Sequence, residues 1–138
     1  MASIGRARTV YILEHDESVR KSLLRLMLAN GVLAKCVTSP EHLLDEIDAN
    51  SNGCIVADLT LAEKIGGDLP ARLKEMKVDM PIIAISAREG AEVRESAQRI
   101  GAQFFLSKPV DDHALLDAIA WVTKAMNGRA DTDDGLGI

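Results

Sequence analysis

Aromatic side chains are nearly absent from this chain: two phenylalanines, one tyrosine and one tryptophan in 138 residues. A chain of this length still buries a sizeable core, so that core has to be built from Leu, Ile, Val, Ala and Met. Cysteine is scarce as well. Cys36 and Cys54 lie inside the apolar stretches "AKCVT" and "CIVAD" with no C-x-x-C spacing, which disfavours a disulfide or metal pair and fits two buried free thiols. Positive charge is in deficit, with a net charge of −5, and this argues against nonspecific nucleic-acid binding, which needs a basic surface. No run is long and apolar enough to span a bilayer. The N-terminal "MASIGRART" lacks the apolar stretch of a signal peptide. A cytoplasmic protein that touches neither membrane nor nucleic acid is the expectation.

What the chain does have is alternation. Short apolar runs rich in β-branched residues stand at 9–13 ("TVYIL"), 32–37 ("VLAKCV"), 54–57 ("CIVA"), 81–85 ("PIIAI") and 104–106 ("FFL"). Between them lie amphipathic stretches with helical spacing. "SVRKSLLRLMLANG" places Val19, Leu23, Leu26 and Met27 on one stripe and then stops at Gly31. "SPEHLLDEID" opens with Ser39 as a cap and Pro40 at the first helical position. "GGDLPARLKEM" tolerates Pro70 only in a first turn, so Asp68 is expected to cap a helix that starts at Leu69. "GAEVRESAQRIG" and "DDHALLDAIAWVTKAM" supply two more. Strands separated by helices imply βαβ units and a doubly wound five-stranded parallel sheet with helices on both faces. The folded domain is expected over 8–126, with an extension at 1–7 and a disordered tail at 127–138, "NGRADTDDGLGI", which carries little that can pack.

In such a sheet, ligands gather beyond the carboxyl ends of the strands. Glu14, His15 and Asp16 follow the first run, Asp58 the third, Ser86 the fourth and Lys108 the fifth. Each alone has an ordinary structural reading: a helix cap, a turn residue, a loop hydroxyl, a solvated lysine. At four converging strand ends they describe a shallow cleft of carboxylates, a hydroxyl and an ammonium. Clustered carboxylates suit a hard divalent cation such as Mg²⁺, and the cation would relieve the repulsion between Asp58 and an incoming phosphoryl group. Asp58 is then a candidate nucleophile that forms an aspartyl-phosphate. Lys108 would stabilise charge on the phosphoryl oxygens, and Ser86 would hydrogen-bond one of them.

Residues 8–126 resemble the receiver domains of two-component response regulators, through "YILEHDESVRKSLLRLMLANG", "CIVADLTL", "IIAISA" and "FFLSKPV" in that order. The spacing agrees: 44 residues from Glu14 to Asp58, 28 on to Ser86 and 22 on to Lys108. The resemblance implies a flavodoxin-like (CheY-like) fold with strand order 2-1-3-4-5. It also implies phosphorylation of Asp58 by a phosphohistidine on a sensor histidine kinase or histidine phosphotransfer protein. Glu14, Asp58 and the Thr60 backbone carbonyl would hold the cation, and Ser86 and Phe105 would form the switch. The helix at 90–101, the strand at 104–106 and the helix at 111–126 would engage a downstream protein or a second copy. The only catalysis implied is the domain's own phosphorylation and dephosphorylation. With no output domain within these residues, the chain is expected to work by protein contact or as a phosphate relay or sink, unless it is a piece of a larger regulator.

Three departures stand out. His15 occupies the place of the family's second acid and favours Mn²⁺ or Zn²⁺ over Mg²⁺, with Asp16 as the next available oxygen donor. Leu61 and Ala62 replace the common Met-Pro, which suggests a looser loop. Phe105 lacks the hydroxyl of the common tyrosine. A second reading therefore stays open: a pseudo-receiver that serves as a phosphorylation-independent interaction module. A third, a flavodoxin-like cofactor binder, is disfavoured because "EHDES" puts carboxylates where such proteins need amides facing phosphate.

Overall fold

A computed structural model of the chain describes residues 8–64 and 69–135, with the side chains of the last helix described as far as Thr123. Asp68 and the extension at 1–7 lie outside the described residues. Five strands, β1 (Thr9–Leu13), β2 (Ala34–Val37), β3 (Gly53–Asp58), β4 (Ile82–Ser86) and β5 (Ala102–Ser107), form one sheet in the order β2-β1-β3-β4-β5. Every neighbouring pair is parallel. This is the flavodoxin-like sheet and strand order expected from the sequence.

Side chains alternate across a strand, so each strand feeds two cores. Tyr11, Leu13, Ile55, Ala57 and Ala84 point to one face. There they meet Leu43 of α2 (Pro40–Glu46), Leu59 of α3 (Leu59–Ala62), Leu69 and Leu73 of α4 (Leu69–Glu75) and Val93 of α5 (Ala91–Arg99). Val10, Ile12, Cys54, Val56, Ile83 and Ile85 point to the other face. They pack against Leu23 and Met27 of α1 (Glu17–Ala29) and Leu115, Ile119 and Val122 of α6 (Asp112–Gly135). All six residues of β3 are buried, as the middle strand of a doubly covered sheet requires. Cys54 is fully buried and burial pushes its thiol up to about 12, consistent with an inert core thiol. Cys36, on the edge strand β2, is half-buried and free.

Local signals act as the sequence implies. Ser39 caps α2, its Oγ accepting from the His42 amide at 3.1 Å, with Pro40 in the first turn. α4 begins at Leu69. α6 continues helically as far as Gly135, past residue 126, where the sequence reading draws the domain boundary. One expectation is corrected. The stretch after Asp58 is not an open loop at its start: it winds at once into α3, with Leu59, Leu61 and Ala62 buried.

Of the five described positions with positive φ, Gly53 and Lys77 adopt it for different reasons. Gly53 opens β3 at φ 133, so close to β1 that a Cβ would lie 1.9 Å from the Thr9 carbonyl oxygen. Lys77 ends α4 at φ 60, where the Val78 amide reaches back to the Leu73 carbonyl at 2.8 Å. That bond closes a helix terminus usually built on glycine. Urea unfolding should therefore show opposite effects. Lys77→Gly is expected to stabilise by about 0.5–1 kcal/mol, relieving the left-handed cost of a side chain, whereas Gly53→Ala should destabilise by about 2–4 kcal/mol.

Candidate functional site

The carboxyl ends of β1, β3 and β5 deliver three charged groups to one point. The Lys108 ammonium donates to Asp58 Oδ2 at 2.7 Å and lies 2.8 Å from Glu14 Oε1. The side chains are 16% exposed for Lys108, 8% for Asp58 and 0% for Glu14, so the cluster is screened little by solvent. Lys108 is held there by its backbone too, since its amide donates to the Ser86 carbonyl at 2.8 Å. Burial alone would lower the Lys108 pKa, but the hydrogen bonds and charges of Asp58 and then Glu14 outweigh it and hold it above the ordinary lysine value of 10.5.

Each carboxylate also carries backbone. Asp58 Oδ1 accepts from the Leu61 amide at 3.2 Å and so caps α3. Glu14 Oε2 accepts from the Asp16 amide at 3.0 Å. Glu14 Oε1 is fully buried and has the Lys108 ammonium, 2.8 Å away, as its partner among the described residues.

Glu14, Asp58 and Lys108 are thus brought into direct contact. Ser86, buried at 2% exposure, joins them through its carbonyl, while its hydroxyl oxygen accepts from the Arg88 amide at 2.9 Å. The other expected residues stand apart from this contact. Asp16 caps α1, its Oδ1 accepting from Ser18 and Val19 at 2.9 and 3.2 Å. His15 is 63% exposed, with Nδ1 3.9 Å from Glu14 Oε2. Thr60 lies exposed within α3. Phe105 is half-buried on β5, packed against the core face that carries α2 to α5.

Three further residues shape the site. The Arg20 guanidinium reaches back from α1 to the carbonyls of Glu14 and His15 at 3.5 and 3.3 Å, tying down the loop after β1. Arg88 pairs with both oxygens of Glu63 at 3.1 and 3.2 Å, joining the loop after β4 to the turn after Asp58. The six-residue separation of Arg20 from Glu14 is a signal that could have been noticed; Glu63 and Arg88 stand 25 residues apart with nothing in sequence to link them.

Two buried carboxylates that share a single ammonium fit a hard divalent cation, since Mg²⁺ is commonly held by one or two carboxylates with water completing the shell. Among the described residues no group of three or more His, Cys, Asp or Glu side chains is placed to hold an ion. The side chains therefore supply a sparse ligand set, with the acid missing at His15.

If Lys108 is what balances the two acids, Lys108→Met should cost about 3–5 kcal/mol at neutral pH, by leaving buried carboxylates unpaired. Because the folded pKa of Lys108 is raised, its stabilisation is complete below 10.5 and fades only as pH climbs through the higher folded value. Urea unfolding across pH should show a flat gap between wild type and variant through the neutral range, closing only above 10.5; a gap that closes near neutrality would contradict the pairing.

Comparisons with known proteins bear on the family and the fold. The profile of the response regulator receiver domain matches residues 10–120. The response regulator protein TodT of Pseudomonas putida is 32% identical over 114 residues, covering 83% of this chain and 50% of TodT. The transcriptional regulatory protein FixJ of Rhizobium meliloti is 32% identical over 127 residues, covering 91% of this chain and 62% of FixJ. The chain thus spans between half and two thirds of the length of these relatives. Among solved structures, the crystal structure of FixJ-N superposes with a TM-score of 0.69 at 27% identity, over 86% of this chain and 95% of that one. A CheY-like receiver domain protein of Methanospirillum hungatei gives a TM-score of 0.72 at 17% identity over 90% of this chain and 99% of that one, a likeness of fold alone.

Proposed function

The chain belongs to the response regulator receiver domain family of two-component systems, and from that premise we propose that Asp58 is its phosphoacceptor. The observation that carries the reading is the single ammonium of Lys108 held between Glu14 and Asp58 at the ends of three strands. A phosphoryl group would pass from a phosphohistidine of a sensor kinase or phosphotransfer protein to an Asp58 oxygen. The P–N bond breaks as the O–P bond forms, and the imidazole leaves as the electron pair returns to nitrogen.

A divalent cation, Mg²⁺ or Mn²⁺, would be held by Glu14, Asp58 and the Thr60 carbonyl, and supplies charge neutralisation for the approach of two anions. Asp16 and His15 are the remaining candidate ligands. Lys108, already on Asp58 Oδ2, would follow the transferred charge onto a phosphoryl oxygen. Ser86 would exchange the Arg88 amide for the phosphoryl group, with Phe105 responding on the adjacent strand. The output surface would be the α5–β5–α6 side. Its support is the 64% exposure of Trp121 beside a cavity of about 570 Å³ lined by Phe104, Leu106, Ala114, Asp117, Ala118 and Trp121. That face suits a downstream protein or a second copy. Among the described residues no helix is long and apolar enough to cross a membrane, which fits a cytoplasmic site of action. Any output activity of a longer parent protein would add to this switch. The extension at 1–7 and a tail beyond 126 would play no part in the transfer.

Intact mass after incubation with acetyl phosphate tests the reading. One phosphoryl adduct is expected that requires a divalent cation and is absent in Asp58→Asn. His15→Asp, which restores a second acid, should raise the initial rate in Mg²⁺ by about tenfold. If wild type stays unmodified with Mg²⁺ and Mn²⁺ and His15→Asp gains nothing, the phosphorylation-independent module becomes the better account.

A further inference from the structure

The ion pair between Glu63 and Arg88 closes a circuit around the site. Asp58 caps α3 through the Leu61 amide, and Glu63 is the residue that terminates α3, its own amide donating to the Leu59 carbonyl at 2.9 Å. Its carboxylate takes the Arg88 guanidinium on both oxygens, at 3.1 and 3.2 Å. The Arg88 amide in turn donates to Ser86 Oγ at 2.9 Å. The phosphoacceptor and the hydroxyl that must meet its phosphoryl group are therefore linked outside the pocket, through one side-chain contact between the loops that carry them.

We propose that Glu63 and Arg88 are positioning residues for phosphoryl transfer. Their ion pair latches the loop after β4 to the turn after β3 and keeps the Ser86 hydroxyl engaged with the Arg88 amide in the resting state. The proposal rests on the reading of Asp58 as phosphoacceptor. In the proposed switch, Ser86 Oγ turns from the Arg88 amide toward a phosphoryl oxygen. The Glu63–Arg88 pair holds that amide in place from the solvent side, where Arg88 is 49% and Glu63 31% exposed. A pair so exposed biases a two-state loop only weakly, by about two- to five-fold, which suits a latch that phosphorylation must be able to release.

Charge placement alone makes a different prediction from a latch, and reversal variants separate the two. Glu63→Arg adds positive charge near the pocket and Arg88→Glu adds negative charge, so a simple field effect on an anionic donor would move the two rates in opposite directions. A latch is broken by either change. Both single variants should therefore take up phosphoryl from acetyl phosphate about two- to five-fold faster than wild type, and Glu63→Arg/Arg88→Glu, which restores a pair, should return to the wild-type rate. A second readout needs no donor: hydrogen exchange of the Arg88 amide in the unphosphorylated protein should quicken about two- to five-fold in Glu63→Gln. Unchanged exchange there, opposite rate changes in the single variants, or a swap that fails to restore the rate would each overturn the latch, even with Asp58 phosphorylated normally. A wild-type protein that takes no adduct, with none gained by His15→Asp, would instead overturn the Asp58 reading, and the positioning role with it.

Discussion

One ammonium group holds the functional end of this sheet together. Glu14 and Asp58 end adjacent strands, β1 and β3, in a place water barely reaches. Two carboxylates so placed repel one another strongly where the dielectric is low. Lys108, arriving from beyond β5, is set between them. The strand order makes this possible: β3 lies between β1 and β4, and β5 follows β4, so a lysine stem just past the end of β5 has to reach back across the strand ends. The backbone bond from the Lys108 amide to the Ser86 carbonyl fixes the point from which that reach begins. Without the lysine, the ends of β1 and β3 would carry unbalanced buried charge. Without the acids, the lysine would be a desolvated cation.

Much of this arrangement is legible in the amino-acid sequence because it depends on position along strands. "CIVA" and "PIIAI" read as strands covered on both faces, and both are. An Asp, a Ser and a Lys at successive strand ends point to a common edge, and the structure sets them there. β5 is less clear: only "FFL" is apolar enough to read, while the strand runs Ala102–Ser107 with its side chains mostly half-buried or exposed, as an edge strand can. α3 leaves no periodic trace, since four residues are one turn, and its cap is the same Asp58 whose chemistry dominates any reading of that position.

The acid–histidine–acid sequence after β1 shows where sequence reasoning stops. Glu14, His15 and Asp16 are equally placed for the site when read as letters. In three dimensions the chain turns within those residues. Glu14 still follows the strand and points inward; His15 is carried out to solvent; Asp16 already belongs to α1, where its oxygen satisfies two amides that would otherwise lack partners. A helix cap and a metal ligand call for the same side chain, and only the backbone direction separates them. The Glu63–Arg88 contact is harder still to read, because an ion pair between two loops has neither a period nor a fixed spacing.

The charge balance of the cluster would also set an order of events in the proposed transfer. At rest, two carboxylates share one ammonium, so the three groups together keep one formal negative charge. An incoming phosphoryl group adds more negative charge to a site already short of positive charge, and Lys108 cannot serve it without loosening its hold on Asp58. A divalent cation held by Glu14 and Asp58 would supply the missing positive charge and would leave the lysine free to serve the donor. With His15 exposed in place of a third acid, that cation meets less negative charge than three carboxylates would offer. A histidine in place of an acid also leaves less negative charge for Lys108 to balance in the resting protein. On the proposed function, stability of the resting fold and readiness for phosphorylation would therefore be set against each other at this one position.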